Sequence, residues 1–274
     1  MGSANMSISI VGCGWLGLPL AENALDMGLL VKGSTTSDKK LPKLRSLGID
    51  AYLLNLPGNI DADIALFQAN YLVLNIPPGR RNPNVLVDYP ASVARILRSA
   101  LEAGQISKII FVSSTSVYGD NMDFIDENTN SDPQSSSGEA LVRAEQLIVD
   151  SGIKYNILRF GGLAGPGRHP GRFLAGRSHL PAGNQAINFL HLQDAIGAIN
   201  CFLNHLHDDK IYNIVSPFHP TKRDFYTRMA KDLVLEPPQF DEKVFSPKRE
   251  ISPDKFTSDT GYQFIFPNPM NYQF

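Results

Sequence analysis

Near the start of the chain, Gly12-Cys13-Gly14-Trp15-Leu16-Gly17 places three glycines at the spacing G-x-G-x-x-G. The run follows Ile8-Ser9-Ile10-Val11, which has the texture of a buried strand, and it opens a segment of helical periodicity. In that setting each glycine has a separate task. Gly12 permits a tight turn, Gly14 lets a pyrophosphate approach the backbone, and Gly17 lets the helix pack closely on the strand. Trp15 and Leu16 sit between them, at a helix N-terminus whose free N–H groups and positive dipole end suit phosphate. A glycine-rich turn without a ligand is the competing reading, and the strand-turn-helix context weighs against it.

The second strand runs into Val31-Lys32-Gly33-Ser34-Thr35-Thr36. A fold that takes NAD carries an Asp or Glu for the ribose 2′-OH at the end of this strand, and Val31–Thr36 has neither. Ser34, Thr35, Ser37 and Lys39 instead offer hydroxyls and a cation, which suits the 2′-phosphate of NADP, with NAD as the other candidate. Ser37 equally fits as the cap of a helix over 38–47. Asn75, Ile76 and Pro77 end the fourth strand, where carboxyl ends face ligands, so they are expected along the cofactor groove. Pro77-Pro78 also serves simply to stop the strand.

These residues need a scaffold that repeats strand and helix. Apolar runs at Ser7–Val11, Leu29–Lys32, Ala51–Leu54, Tyr71–Ile76, Lys108–Val112 and Lys154–Leu158 read as strands. Leu16, Leu20, Ala24 and Met27 share one face of the first intervening helix, and Val93, Leu97, Ala100 and Leu101 share one of a later helix. Pro19 falls in a first turn, where it is tolerated. The alternation predicts an α/β fold, a Rossmann-type doubly wound parallel sheet. Gly161-Gly162, Gly165-Pro166-Gly167 and His169-Pro170-Gly171 mark a change to turn-rich chain. A helix over Gln193–Leu206 and a strand at Ile211–Val215 return to the first pattern, whereas Thr221–Leu233 and the Pro-rich remainder read as a small appended lobe. The division expected is a dinucleotide-binding domain of 6–160 and 187–215, with a small discontinuous lobe of 161–186 and 216–274.

Composition limits the partners. With a net charge of −2 over 274 residues there is no cationic excess to hold nucleic acid or an anionic membrane. Cys13 and Cys201 stand far apart, without a Cys/His cluster at metal spacing, so neither a disulfide framework nor a metal site is expected. No apolar run approaches the roughly 20 residues of a membrane span, and 1–6 lacks the pattern of a signal peptide. A soluble, cytoplasmic protein with a small-molecule substrate is the expectation.

A second signature, Phe111-Val-Ser-Ser-Thr-Ser-Val-Tyr-Gly119, joins the glycine turn. Together they resemble the extended short-chain dehydrogenase/reductases, in particular the NAD-dependent epimerase/dehydratase group that includes UDP-galactose 4-epimerase. Arg159-Phe-Gly-Gly-Leu-Ala-Gly-Pro-Gly167, Phe189-Leu-His-Leu-Gln-Asp-Ala195 and Ile211-Tyr-Asn-Ile214 resemble later segments of that group, in the same order. The resemblance implies that Ser114 hydrogen-bonds a reacting oxygen. It also implies a Tyr and a Lys four residues apart at a helix start, and the matching positions here are Ser137 and Leu141. The chain thus resembles an atypical member that keeps the binding scaffold without the usual acid/base pair. A substrate is expected between Ser114, Tyr118 and the loop carrying His169 and Arg172. Tyr118 also fits as a packing residue, His169 and Arg172 as solvated loop residues, and His191 as a local backbone contact. Two functions stay open: a nicotinamide-dependent oxidoreductase or epimerase of a carbonyl or sugar-like molecule, and a non-catalytic NADP(H)-binding sensor or scaffold.

Overall fold

The computed structural model describes residues 6–56, 64–79, 82–204, 206–242 and 246–274. Eleven strands form among them: β1 (Ser7–Val11), β2 (Leu30–Thr35), β3 (Asp50–Leu53), β4 (Tyr71–Leu74), β5 (Lys108–Ser114), β6 (Phe124–Ile125), β7 (Lys154–Phe160), β8 (Gly162–Ala164), β9 (Phe189–His191), β10 (Lys210–Ile214) and β11 (Glu250–Ile251). The helices are α1 (Gly17–Asp26), α2 (Leu41–Ser46), α3 (Val85–Ala103), α4 (Ser136–Val149), α5 (Leu192–Asn200), α6 (Lys222–Asp232) and α7 (Asp254–Thr260). Seven strands make one sheet in the order β10-β7-β5-β4-β1-β2-β3, and β6 pairs with β11 and β8 with β9 in two small sheets. The pairings from β3 to β5 are parallel, with Ile8 opposite both Val31 and Tyr71. This is the Rossmann-type α/β sheet expected from the alternation of strand and helix.

Strand order reverses between β1 and β4, because the chain moves outward to β2 and β3 before returning past β1. Such a reversal opens a crevice at the carboxyl ends of the two strands. The segments lying there are 12–17 after β1 and 75–77 after β4. Ile8, Ile10, Leu72, Val73, Ile110 and Phe111 are fully buried within the sheet, and Leu20, Ala21 and Ala24 bury one face of α1. Each large apolar side chain buried this way contributes roughly 1.5–3 kcal/mol.

The chain divides into two compact units. The first comprises the described residues of Met1–Val117, Ser135–Leu158 and Phe202–Ile211; the second comprises those of Tyr118–Gln134, Arg159–Cys201 and Tyr212–Phe274. Ala164, Ile187, Phe189, Phe225, Met229 and Tyr272 form an apolar cluster within the second.

Several local expectations are corrected. Met27 is 51% exposed because α1 ends at Asp26, and Leu101 is 54% exposed on the outer face of α3. The helix expected over Gln193–Leu206 ends at Asn200, with His191 as its cap through an N–H of Gln193. Ser37 precedes a short 3-10 turn at Asp38–Lys40 without a side-chain capping bond. Strand β2 continues beyond Lys32 to Thr35, because β3 pairs with it as far as Leu53.

Candidate functional site

The turn after β1 is built by backbone packing. Gly12 has φ +106, and a Cβ there would lie 2.5 Å from the carbonyl oxygen of Asn75. A Cβ on Gly17 would lie 2.1 Å from the carbonyl oxygen of Gly12, so α1 starts where no side chain fits. Gly14 differs: it is exposed, and a Cβ there would meet nothing within 4 Å. Leu16 precedes α1 and no side chain caps the helix. The first-turn N–H groups therefore start beside the open space at Gly14, where an anion can approach the backbone.

Two neighbouring strands brace this turn. Ser34 Oγ accepts the N–H of Gly12 at 3.0 Å, and Ser34 O accepts the N–H of Cys13 at 2.8 Å. Asn75 Nδ2 donates to Gly12 O at 3.3 Å, and Tyr89 Oη donates to Ile76 O at 3.0 Å. Ser34 is buried and turned toward the glycines, and Thr35, also buried, accepts the N–H of Ser37 at 3.2 Å. The groups left in solvent beyond β2 are Thr36, Asp38, Lys39 and Lys40, with Ser37 half-buried. Pro77 is exposed, and Asn75 and Ile76 are half-buried. Burial pushes the Cys13 thiol up to about 12 against the smaller effect of its backbone contact with Ser34, so Cys13 stays a neutral packing group beside Gly33.

At the end of β5, Ser113 turns inward and donates to Glu145 Oε1 at 2.5 Å, while Ser114 is half-buried and its Oγ accepts the N–H of Ser116 at 3.1 Å. Ser114 keeps its own proton to donate. Helix α4 starts nearby in sequence order with Ser135 as its cap, accepting from Gly138 N–H. Ser137 lies 3.3 Å from Ser135, hydroxyl to hydroxyl, and Leu141, one turn on, is 3% exposed. A cavity of about 600 Å³ is lined by Asn82, Pro83, Val85, Ser116, Ser135, Ser136 and Ser137, all in the first unit. The serine row at the start of α4 is plain in the sequence, but its meeting with Ser116 and Asn82 has no signal there.

Tyr118, His169 and Arg172 belong to the second unit. Tyr118 is 1% exposed; its Oη donates to Asn213 Oδ1 at 2.9 Å and accepts from Arg159 Nη1 at 2.8 Å, with the guanidinium 4.9 Å from its ring centre. His169 accepts the N–H of Gly171 and packs its ring 3.9 Å from that of Phe274, whereas Arg172 is exposed. His191 is buried between the α5 cap and Gln273 O at 3.2 Å, and its ring lies 3.8 Å from that of Phe266. Asp194 was not singled out by sequence, yet its buried carboxylate accepts from Tyr262 Oη, Ile265 N–H and Phe266 N–H at 3.0, 2.7 and 2.9 Å.

Among the described residues no helix is long and apolar enough to cross a membrane, and no three His, Cys, Asp or Glu gather as a metal site. Comparison with known proteins places the chain among relatives along nearly its whole length. Protein YeeZ of Escherichia coli (strain K12) is 40% identical over 269 residues, 96% of this chain and 97% of the relative. The solved structure of MoeE5 in complex with UDP-glucose and NAD matches with TM-score 0.79 at 17% identity, covering 98% of this chain and 97% of that one. UDP-glucuronic acid 4-epimerase from Bacillus cereus, in complex with UDP-glucuronic acid and NAD, matches with TM-score 0.77 at 19% identity over 97% and 96% of the two chains. At these identities the two structures speak for the fold. The family model for the NAD dependent epimerase/dehydratase family matches residues 81–215, and with the full-length relative it establishes that the chain belongs to that family.

Proposed function

We propose that the protein binds NADP(H) at its glycine turn and acts as a nicotinamide-dependent oxidoreductase or epimerase on a small carbonyl or sugar-like compound. The observation that carries the cofactor is Gly14. Packing of the protein itself demands glycine at 12 and 17 but leaves space for a side chain at 14, so what Gly14 keeps open is room for a ligand. The NAD held by MoeE5 and by the Bacillus cereus epimerase supports a nicotinamide dinucleotide. Lys39 and Lys40, exposed past β2, offer cations for the extra phosphate of NADP, and no carboxylate stands at 34–37 to take a ribose diol, the first one beyond being the exposed Asp38.

When bound, the nicotinamide supplies a hydride donor or acceptor. The chain's own residues then bind, orient and polarise. The uncapped start of α1 holds the pyrophosphate, Asn75 and Ser34 keep the turn in shape, and the Ser114 hydroxyl donates to a reacting oxygen. Ser137 and Leu141 stand at the Tyr and Lys positions of the resemblance, and a serine hydroxyl beside an aliphatic side chain gives no general acid near neutral pH. Turnover on ordinary carbonyl substrates is therefore slow. Burial of Leu141 favours a second reading, cofactor binding without turnover, because that site is built for an apolar group. Two free cysteines fit a reducing cytoplasm. Calorimetric titration with NADP and with NAD tests the reading: NADP should bind more tightly, and a tenfold preference for NAD, about 1.4 kcal/mol, would overturn the choice of cofactor.

A further inference from the structure

Lys222 is the first residue of α6, a helix capped by Thr221 through the N–H of Asp224. Its ammonium is half-buried and donates to a neutral acceptor, the side-chain oxygen of Gln185, which is itself 5% exposed. Backbone pairing fixes the place. Lys222 N–H donates to Gln185 O, Ala186 forms an antiparallel bridge with Thr221, and Ala186 N–H donates to Lys248 O. Lys222 and Arg249 are thereby gathered around Ala186. Arg249 is held in a left-handed backbone conformation, φ +54, with Nε 3.1 Å from Gly119 O and 2.8 Å from Asp120 Oδ1 and Nη2 3.4 Å from Tyr118 O.

Burial, the Arg249 guanidinium and the positive end of α6 all act against a charge on Lys222. Asp120 acts for it, but that carboxylate is largely exposed and already paired with Arg249. Asp224, in the first turn of α6, is engaged by Thr221 Oγ1 at 2.7 Å, and Arg223 pairs with Glu242 at 3.3 Å. The balance, led by burial, sets Lys222 below the ordinary lysine range. A partly desolvated amine next to another cation is the arrangement that makes lysine a nucleophile toward carbonyl carbon.

We propose that Lys222 is a reactive amine site of the second unit that takes aldehydes as a Schiff base. The lone pair of the neutral amine adds to the carbonyl carbon as the C=O electron pair passes to oxygen, both amine protons move to that oxygen, and it leaves as water as C=N forms, with no net oxidation or reduction. Lys222 belongs to the second unit and the cofactor turn to the first. To test it, the full chain is treated with limiting benzaldehyde and sodium cyanoborohydride near neutral pH, and benzylated lysines are located by peptide mass mapping. Lys222 should be modified on the order of tenfold faster than the exposed Lys39, Lys40, Lys43 and Lys231, because a desolvated amine keeps more of its nucleophilic neutral form. Asp120→Asn, which removes a favourable charge from an exposed position, should make Lys222 faster still, and Lys222→Arg should abolish the fast site alone. Labelling of Lys222 no faster than that of the exposed lysines, or slower labelling in Asp120→Asn, would overturn the proposal.

Discussion

Two glycines three residues apart carry different meanings, and substitution separates them. Gly17→Ala forces a methyl against the Gly12 carbonyl and should cost about 1–3 kcal/mol in chemical denaturation, as overpacking does. Gly14→Val meets open space, so it should unfold like the native chain yet fail to bind NADP; equal affinities by calorimetry would sink the turn as the cofactor site. Beyond β2, Lys39→Ala with Lys40→Ala should weaken NADP by about tenfold, near 1.4 kcal/mol, and leave NAD unchanged. The acid/base pair can be restored in kind. Ser137→Tyr with Leu141→Lys puts a phenol at the cavity and an ammonium one turn before Glu145, which offers a partner for a charge in a buried position. Turnover of a carbonyl panel with NADPH should rise by about 10²–10⁴, the usual worth of general acid–base help. Fast turnover of the unaltered protein that survives Ser114→Ala would place the chemistry elsewhere. The glycines were legible in sequence because their constraint is local. Ser34 was legible only as a hydroxyl near a ribose; that its oxygen braces Gly12 depends on two strands meeting, which no local pattern reports.

Among the elements, the stretch from α5 to the end of the second unit is tied by a few buried polar groups. Asp194→Ala removes the acceptor of two backbone N–H groups and the Tyr262 hydroxyl, and should cost about 2–4 kcal/mol in urea unfolding, since bonds to a charged group are worth more than neutral ones. An unchanged midpoint would show that the three bonds contribute nothing net. His169, His191 and His219, all of the second unit, are held below the ordinary histidine range, in each case chiefly by burial. Their neutral forms are favoured in the fold, so the unfolded chain binds protons more readily. The stability they contribute is full above about pH 6.5 and is lost as pH falls through their lowered folded values. Melting temperature should therefore drop from neutral pH toward pH 5, and His191→Gln should flatten that drop; an identical pH profile would remove His191 from the account. Strand β1 was read to its limits because Ile8, Ile10 and Val11 give it an apolar run and Gly12 ends it. The ends of β2 and β5 were missed because Gly33-Ser34-Thr35 and Ser113-Ser114 look like turn chemistry, and only their neighbours in the sheet make them strand.

For the whole molecule, a ligand that binds only the folded state raises its stability by mass action, about 2.7 kcal/mol at a hundredfold excess over Kd. NADP should accordingly raise the melting temperature of the native protein and leave that of Gly14→Val where it was. The order of strands and helices was readable along the chain, whereas which stretches pack as one unit depends on contacts far apart in sequence. That partition has a consequence for how the protein is made. The polypeptide passes from one unit to the other after Val117, Gln134, Leu158, Cys201 and Ile211, so neither unit is a continuous stretch. A nascent chain that has emerged as far as Val117 lacks α4 and β7, and β10, at the edge of the seven-stranded sheet, has yet to emerge when Cys201 leaves the ribosome. At about 5–20 residues per second of synthesis, the early strands wait several seconds or more for these partners. Translation speed and chaperone cover over that interval, rather than the final stability of the fold, should then govern how much of the newly made protein reaches the native state.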